Sequence, residues 1–278
     1  VVLSKIKNSN KKYIMKKSLQ HILLGAFMLV IGLVACSKET EYLAEPVSTS
    51  TNAFVKIVHE APNLATITGQ TDNITVSRFN WSTMIYDKLT GTPITYDKTF
   101  PTTTNVYLSM PSGPQTFKFS LAAVSQKDSA ELFLKSFQTD PGKYYSFIVT
   151  DSVKASSASK AIFLQDDILP LDVSQIGLRF VHAIWNDTAA STVDIFSARN
   201  NRVIFSAKGA GSASTFTAFN YFTTSDTLIV RRAGTTNELA RLNTFVPTPG
   251  RNYTVVYKGN GTVTSSTGKP RSLMVYGH

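Results

Sequence analysis

The chain has 278 residues, 42% of them apolar and only 17% charged, with one cysteine and a formal charge of +10; this length allows one or two domains with real cores, and a lone cysteine excludes an internal disulfide framework. Six basic residues (Lys5, Lys7, Lys11, Lys12, Lys16 and Lys17) lie within the first 35 positions, which hold no acid. Taking those six from the 28 basic residues leaves 22 against 18 acidic ones and no dense basic run, so no nucleic-acid partner is expected.

The chain opens on a targeting pattern. Lys16 and Lys17 precede the apolar run His21–Ala35, long enough for the core of a signal peptide and short for a membrane span. The run ends in Leu33-Val34-Ala35-Cys36, which resembles the lipobox of bacterial lipoproteins. A small residue before the cysteine suits the signal peptidase, and only a thiol carries the thioether-linked lipid. Residues 1–35 are therefore expected to be a signal peptide, with the natural start at Met15 and lipidation at Cys36. The expected partner of that lipid is a membrane. A single acyl chain holds only marginally, and lasting attachment needs the two or three such lipoproteins carry. Residues 36–52 read as the lipidated cysteine and a flexible tether rich in Ser, Thr and Glu. Ser37 and the Lys38-Glu39-Thr40-Glu41 cluster resemble sorting signals for the outer membrane and for surface display. A periplasm-facing anchor is the alternative.

Beyond residue 52 the chain repeats itself. Val55-Lys56-Ile57-Val58-His59 matches Leu178-Arg179-Phe180-Val181-His182, and each leads into a loop. Phe137-x3-Pro141-Gly142-Lys143-x-Tyr145 matches Phe245-x3-Pro249-Gly250-Arg251-x-Tyr253. The spacing predicts one module over 53–168 and a second over 175–278, joined around Pro170, with the second shorter in its middle. Thr116–Leu121 alternates apolar and polar residues as a half-buried strand does, and Asp226–Arg231 is its counterpart. Turn residues recur every 8–12 positions, the spacing of sandwich folds. In each Pro-Gly pair the proline presets φ and the glycine accepts the positive φ of a type II turn. The expected fold is all-β: two tandem immunoglobulin-like β-sandwich modules after the signal peptide and tether.

These residues resemble the domain of unknown function 4397 family, β-rich repeats of exported and lipid-anchored bacterial proteins. The resemblance rests on Val58-His59-Glu60-Ala61-Pro62 and Gly142-Lys143-Tyr144-Tyr145-Ser146, then on Val181-His182-Ala183 and Gly250-Arg251-Asn252-Tyr253-Thr254. Trp185 replaces the loop proline in the second copy. The resemblance implies the fold and carries no assigned activity.

Catalytic motifs are missing: there is no Gly-x-Ser-x-Gly elbow and no His-Glu-x-x-His, so no enzyme, no catalytic residue, no cofactor and no metal site is expected. The repeated His59 and His182 have a sharp reading as ligand-contacting groups and a plain one as strand-end residues bonded to their own loops. Trp185 beside Asn186 and Asp187 pairs a ring for a sugar face with groups for its hydroxyls. Asp followed by Ser or Thr and a small or aliphatic residue resembles an O-glycosylation acceptor, giving Ser129, Ser152 and Thr188 as candidates. The functional expectation is a surface-anchored, non-catalytic binding or adhesion module whose partner is a glycan or an envelope protein. The alternative is a structural spacer or accessory subunit of an outer-membrane assembly.

Overall fold

The computed structural model describes residues 51–64, 71–122, 131–150, 161–187 and 191–278. Cys36 with its signal and tether, and the glycosylation candidates Ser129, Ser152 and Thr188, lie outside the described residues. What is described is all-β, apart from a single 3-10 turn at Ser266–Gly268.

The first half comprises β1 (Asn52–His59), β2 (Ile74–Asn80), β3 (Ile85–Lys88), β4 (Lys98–Phe100), β5 (Leu108–Pro111), β6 (Gly113–Leu121), β7 (Glu131–Thr139), β8 (Tyr144–Val149) and β9 (Ala161–Gln165). One sheet runs β4-β1-β8-β9, with β5 also on β1; the other runs β3-β2-β6-β7. The second half comprises β10 (Gln175–His182), β11 (Thr192–Ser197), β12 (Arg202–Gly209), β13 (Thr217–Asn220), β14 (Asp226–Arg232), β15 (Glu238–Phe245), β16 (Asn252–Lys258) and β17 (Ser272–Gly277). Its sheets are β13-β10-β16-β17 and β12-β11-β14-β15. In both halves the opening strand lies parallel to the strand after the Pro-Gly turn, β1 on β8 and β10 on β16. Parallel neighbours need a long crossover, and the intervening strands, most of them in the second sheet, supply it.

Local chemistry explains the repeated Pro-Gly-basic-x-Tyr motif. Gly142 and Gly250 both adopt φ of 71°, the conformation a type II turn asks of its third residue. The tyrosine that follows ties the turn down: Tyr145 Oη accepts from the Asp140 amide at 2.9 Å and Tyr253 Oη from the Thr248 amide at 2.7 Å.

Each half has its own core between its two sheets. In the first, Phe147 stacks on Phe119 at 4.9 Å and meets Phe137 at 5.4 Å, while Phe137 reaches Phe163 at 4.6 Å. In the second, Phe180, Ile195, Val230, Val255 and Tyr257 fill the equivalent space. A third cluster joins the halves: Val58, Ile148 and Ile162 from the outer face of the β1 sheet pack on Val181, Val256 and Tyr276 from the outer face of the β10 sheet. These two sheets are thus covered on both faces, and β1 and β10 are buried along nearly their whole length.

Candidate functional site at the seam

The seam between the halves is built from equivalent positions. Lys56 lies opposite Ser146 in the β1–β8 pair, and Arg179 lies opposite Thr254 in the β10–β16 pair. Asp166 and His278 each extend an outer strand by one residue and donate their amides to Tyr144 O and Asn252 O at 2.8 and 3.0 Å. The first of these equivalent pairs therefore carries a base in each half, and the second an acid in one half and an imidazole in the other.

These groups close a ring across the seam. Arg179 pairs with Asp166 at 2.6 Å, with both side chains buried. Arg179 Nε donates to Thr254 Oγ1 at 3.0 Å, and Thr254 Oγ1 meets His278 Nε2 at 2.7 Å. His278 Nδ1 contacts Tyr107 Oη, which donates to Asp166 Oδ2 at 3.0 Å, as does Ser146 Oγ at 2.8 Å. A neutral His278 protonated on Nδ1 satisfies every member: Thr254 donates to Nε2, and Nδ1 donates to Tyr107. Burial first, then Arg179 and Lys56, holds the His278 pKa well below its ordinary value, in keeping with that neutral form.

The opposite end of the seam is also charged. Lys258 approaches Glu60 at 3.3 Å and Asp97 at 2.8 Å, and its ammonium lies 4.3 Å from the centre of the Tyr96 ring. Lys269 pairs with Asp72 across the seam. Burial pulls the Lys258 pKa down, but Glu60, Tyr96 and Asp97 together outweigh it and the net shift is upward. Burial pushes Glu60 up to about 8, against the pull of Lys258. Burial, then Lys269 and Lys258, lowers His59 to about 3.

A pH dependence follows. The unfolded chain ionises Glu60 at the ordinary 4.5 whereas the folded chain keeps the proton to about pH 8. The folded state binds more protons across that window, so the Glu60 contribution to stability falls as pH rises through it. His59 works in the other direction: the unfolded chain takes up a proton below 6.5, and stability falls as pH drops toward 3. With Glu60→Gln the first slope is removed. The expected result is that the variant's unfolding free energy gains steadily on the parent's between pH 5 and 8, by an amount on the order of a few kcal/mol, and its midpoint rises with it. Parallel midpoint curves over that range would show Glu60 to be an ordinary carboxylate.

The sequence candidates fall around this seam. His59 Nε2 donates to Asp72 O at 2.6 Å and His182 Nδ1 to Lys208 O at 3.0 Å, so each buried imidazole bonds a backbone carbonyl of its own half. Trp185 is 37% exposed, and its indole N–H crosses the seam to Thr150 Oγ1 at 3.0 Å. Its ring lies over Gly211, where φ is 74° and a side chain would collide with it. Asn186 bonds Asn260 and the Gly261 amide at 2.8 and 3.0 Å. Asp187 accepts from Tyr257 Oη at 2.7 Å and from Arg271 at 2.8 Å. The structure thus brings Trp185, Asn186 and Asp187 together, each with a polar contact inside the protein.

Two clefts flank the seam at equivalent places. The larger, about 490 Å³, lies between β17 (Leu273–Gly277) and the segment bearing Asp97, Lys98, Thr99, Thr102 and Thr104. The smaller, about 260 Å³, lies between the end of β9 with the segment after it and Ala213–Phe216.

A family model described as domain of unknown function (DUF4397) matches residues 53–196, more than half of the chain. The chain belongs to the DUF4397 family. No curated protein matches this DUF4397 chain. Among solved structures it is similar to the Bacillus anthracis TIE protein, at 12% identity and a TM-score of 0.23, covering 75% of this chain and 34% of that one. The DUF4397 chain thus spans about a third of that protein's length. It is similar too to a presumptive polysaccharide-binding protein (DUF1812) of Bacteroides thetaiotaomicron, at 10% identity and a TM-score of 0.23, covering 81% of this chain and 97% of that one. A leucine-rich repeat protein of the same organism matches at 9% identity and a TM-score of 0.21, over 77% of this chain and 26% of that one.

Among the described residues of this DUF4397 chain, no group of three or more His, Cys, Asp or Glu is placed to hold a metal ion, and no helix is long and apolar enough to cross a membrane. Sequence reading missed Glu60, Asp97, Tyr107, Asp166, Lys258 and His278 as seam groups. The available signal was a basic residue in the middle of each otherwise apolar opening strand, Lys56 in VKIVH and Arg179 in LRFVH.

Proposed function

We propose that the chain is a lipid-anchored cell-envelope protein, held through Cys36 to the outer membrane and facing outward, that acts as a non-catalytic recognition module. Its two β-sandwich modules are residues 53–168 and 175–278. The partner is a glycan or another envelope protein. The observation that carries this reading is the larger cleft, which opens beside the exposed Thr102 and Thr104 and the cation of Lys98. Loops and edges carried on a rigid sandwich are where binding groups are usually placed. The ionisable groups of the seam support the reading from the other side, because Arg179, Asp166, Glu60 and Lys258 are spent on joining the halves.

One observation favours the accessory-subunit alternative. The hairpin between β2 and β3 presents Trp81, Met84 and Ile85 at 60%, 66% and 58% exposure, with Trp81 braced edge-on by Phe79 at 4.8 Å. Contiguous exposed apolar side chains mark docking surfaces.

A glycan array and an envelope pull-down with the full chain distinguish the two. Thr102→Arg fills the cleft mouth and is expected to abolish retention of the partner, while Trp81→Ser leaves it intact. The reverse pattern would move the binding surface to the hairpin and make the chain a subunit.

A further inference from the structure

Among the described residues, sheet edges are guarded, with one exception. An exposed edge invites another strand to pair with it, and proteins block this with charges, register breaks and shortness. Here β3 carries Asp87 and Lys88, and β4 is three residues long with Lys98. β7 carries Glu131 and Lys135, β12 Arg202 and Lys208, and β15 Glu238 and Arg241. The pairings of these last three also contain register breaks, while β13 has only four residues. β5, also on β1, is equally short at four residues and ends in Pro111. That leaves, as longer edge strands, β9 (AIFLQ) and β17 (SLMVYG), which are free of charge and regularly paired. They are equivalent strands, and each lines one of the two clefts.

The two differ in one contact. On β9, Arg179 Nη1 donates to Gln165 O at 3.3 Å and so occupies the outward edge. The residue equivalent to Gln165 is Gly277, and the one equivalent to Arg179 is Lys56. Lys56 reaches Thr103 O instead, at 3.5 Å. The β17 edge therefore stays open where its duplicate is closed.

Strand alternation says which groups are free. The His278 amide bonds Asn252 O on β16, so Ser272, Met274 and Tyr276 face β16 in the same way. The backbone N–H and C=O groups of Leu273, Val275 and Gly277 consequently point away from the sheet, on the strand that walls the larger cleft. At Gly277 the missing side chain lets Thr104 lie close against the strand, since a Cβ there would lie 2.6 Å from Thr104 Cγ2. Donors and acceptors repeating every second residue, roughly 6.7 Å apart, are the complement of an extended polypeptide. Of the two charged residues at the cleft, Asp97 is paired with Lys258 at 2.8 Å, and the exposed Lys98 beside it favours an acidic side chain on that polypeptide.

We propose that the larger cleft takes an extended segment of a partner protein, which adds to β17 as a further strand by pairing with Leu273, Val275 and Gly277. This rests on the recognition-module reading and narrows the partner to a polypeptide.

The test uses the full chain and a displayed library of unstructured nonapeptides. Val275→Pro removes an outward N–H while leaving the β16 pairing in place, and proline is tolerated at such an edge. Phe163→Pro makes the same change on β9. The expected result is a set of selected peptides that bind parent and Phe163→Pro alike and lose about tenfold or more in affinity with Val275→Pro. On the unmodified protein, bound peptide should slow hydrogen exchange at the amides of Leu273, Val275 and Gly277, a readout that stands even where the proline variant fails to fold. Failure to select any peptide that protects these amides, or equal binding by Val275→Pro, overturns strand addition. If a glycan or envelope partner is still retained in that case, only strand addition falls; if nothing is retained, the recognition module falls with it.

Discussion

Asp166→Asn is expected to lower the unfolding midpoint of the folded unit by roughly 6–20 °C. The change keeps the shape and removes the charge, so Arg179 remains buried with no counterion while Thr254 and Gln165 still fix its position. Breaking a buried pair from one side costs about 3–5 kcal/mol, and each kcal/mol moves the midpoint of a unit this size by about 2–4 °C. The same reasoning predicts a partial rescue. With Arg179→Met added to Asp166→Leu, the uncompensated charge disappears, and apolar replacements of a whole buried pair are often neutral. Calorimetry of the single and double variants measures both effects. A midpoint within about 2 °C of the parent for Asp166→Asn would mean that water reaches Arg179 in solution and that the ring is not closed.

Phe147→Ala is expected to cost about 3–5 kcal/mol, because it leaves a cavity at the centre of a cluster that cannot collapse without moving two sheets. Phe147 is fully buried and touches Phe117, Phe119, Phe137 and Phe163. How the loss is distributed is the more informative result. Losing the first half would uncover Val181, Val256 and Tyr276 of the second, which pack on Val58, Ile148 and Ile162. Parent and variant should therefore each unfold in one transition, seen identically by near-ultraviolet dichroism and by calorimetry. Two separated transitions in the variant would show that the halves are held together only loosely.

What the sequence disclosed was local. The Pro-Gly turns carry their own signal, and their glycines adopt the positive φ that the pairing of residues implies. Thr116–Leu121 lies within β6 and Asp226–Arg231 within β14, since alternation of side chains is legible wherever only one sheet face is buried. The parallel pairing of β1 with β8 was not legible, because it depends on a partner about ninety residues away. Nor was the seam. A lysine within an apolar strand reads as the solvent side of a half-buried sheet, and only the second half reveals that Lys56 and Arg179 face protein. The open edge was hidden for a related reason. SLMVYG reads as an ordinary core strand, and its exposure follows from which neighbour is missing.

The seam also settles who can join with whom. The acids Glu60 and Asp166 belong to the first half, and Lys258 and Arg179, which meet them, belong to the second. Two second halves would leave the buried Arg179 without Asp166, so only unlike halves complete this pair. Between neighbouring copies this permits exchange, first half of one with second half of another, but the short connector makes it uncompetitive. Asn252 grips that connector twice at Leu169, through its amide nitrogen at 2.9 Å and its oxygen at 3.4 Å. So short a leash holds each half at an effective concentration on the order of millimolar for its own mate. Where identical chains stand side by side, each copy therefore closes on itself.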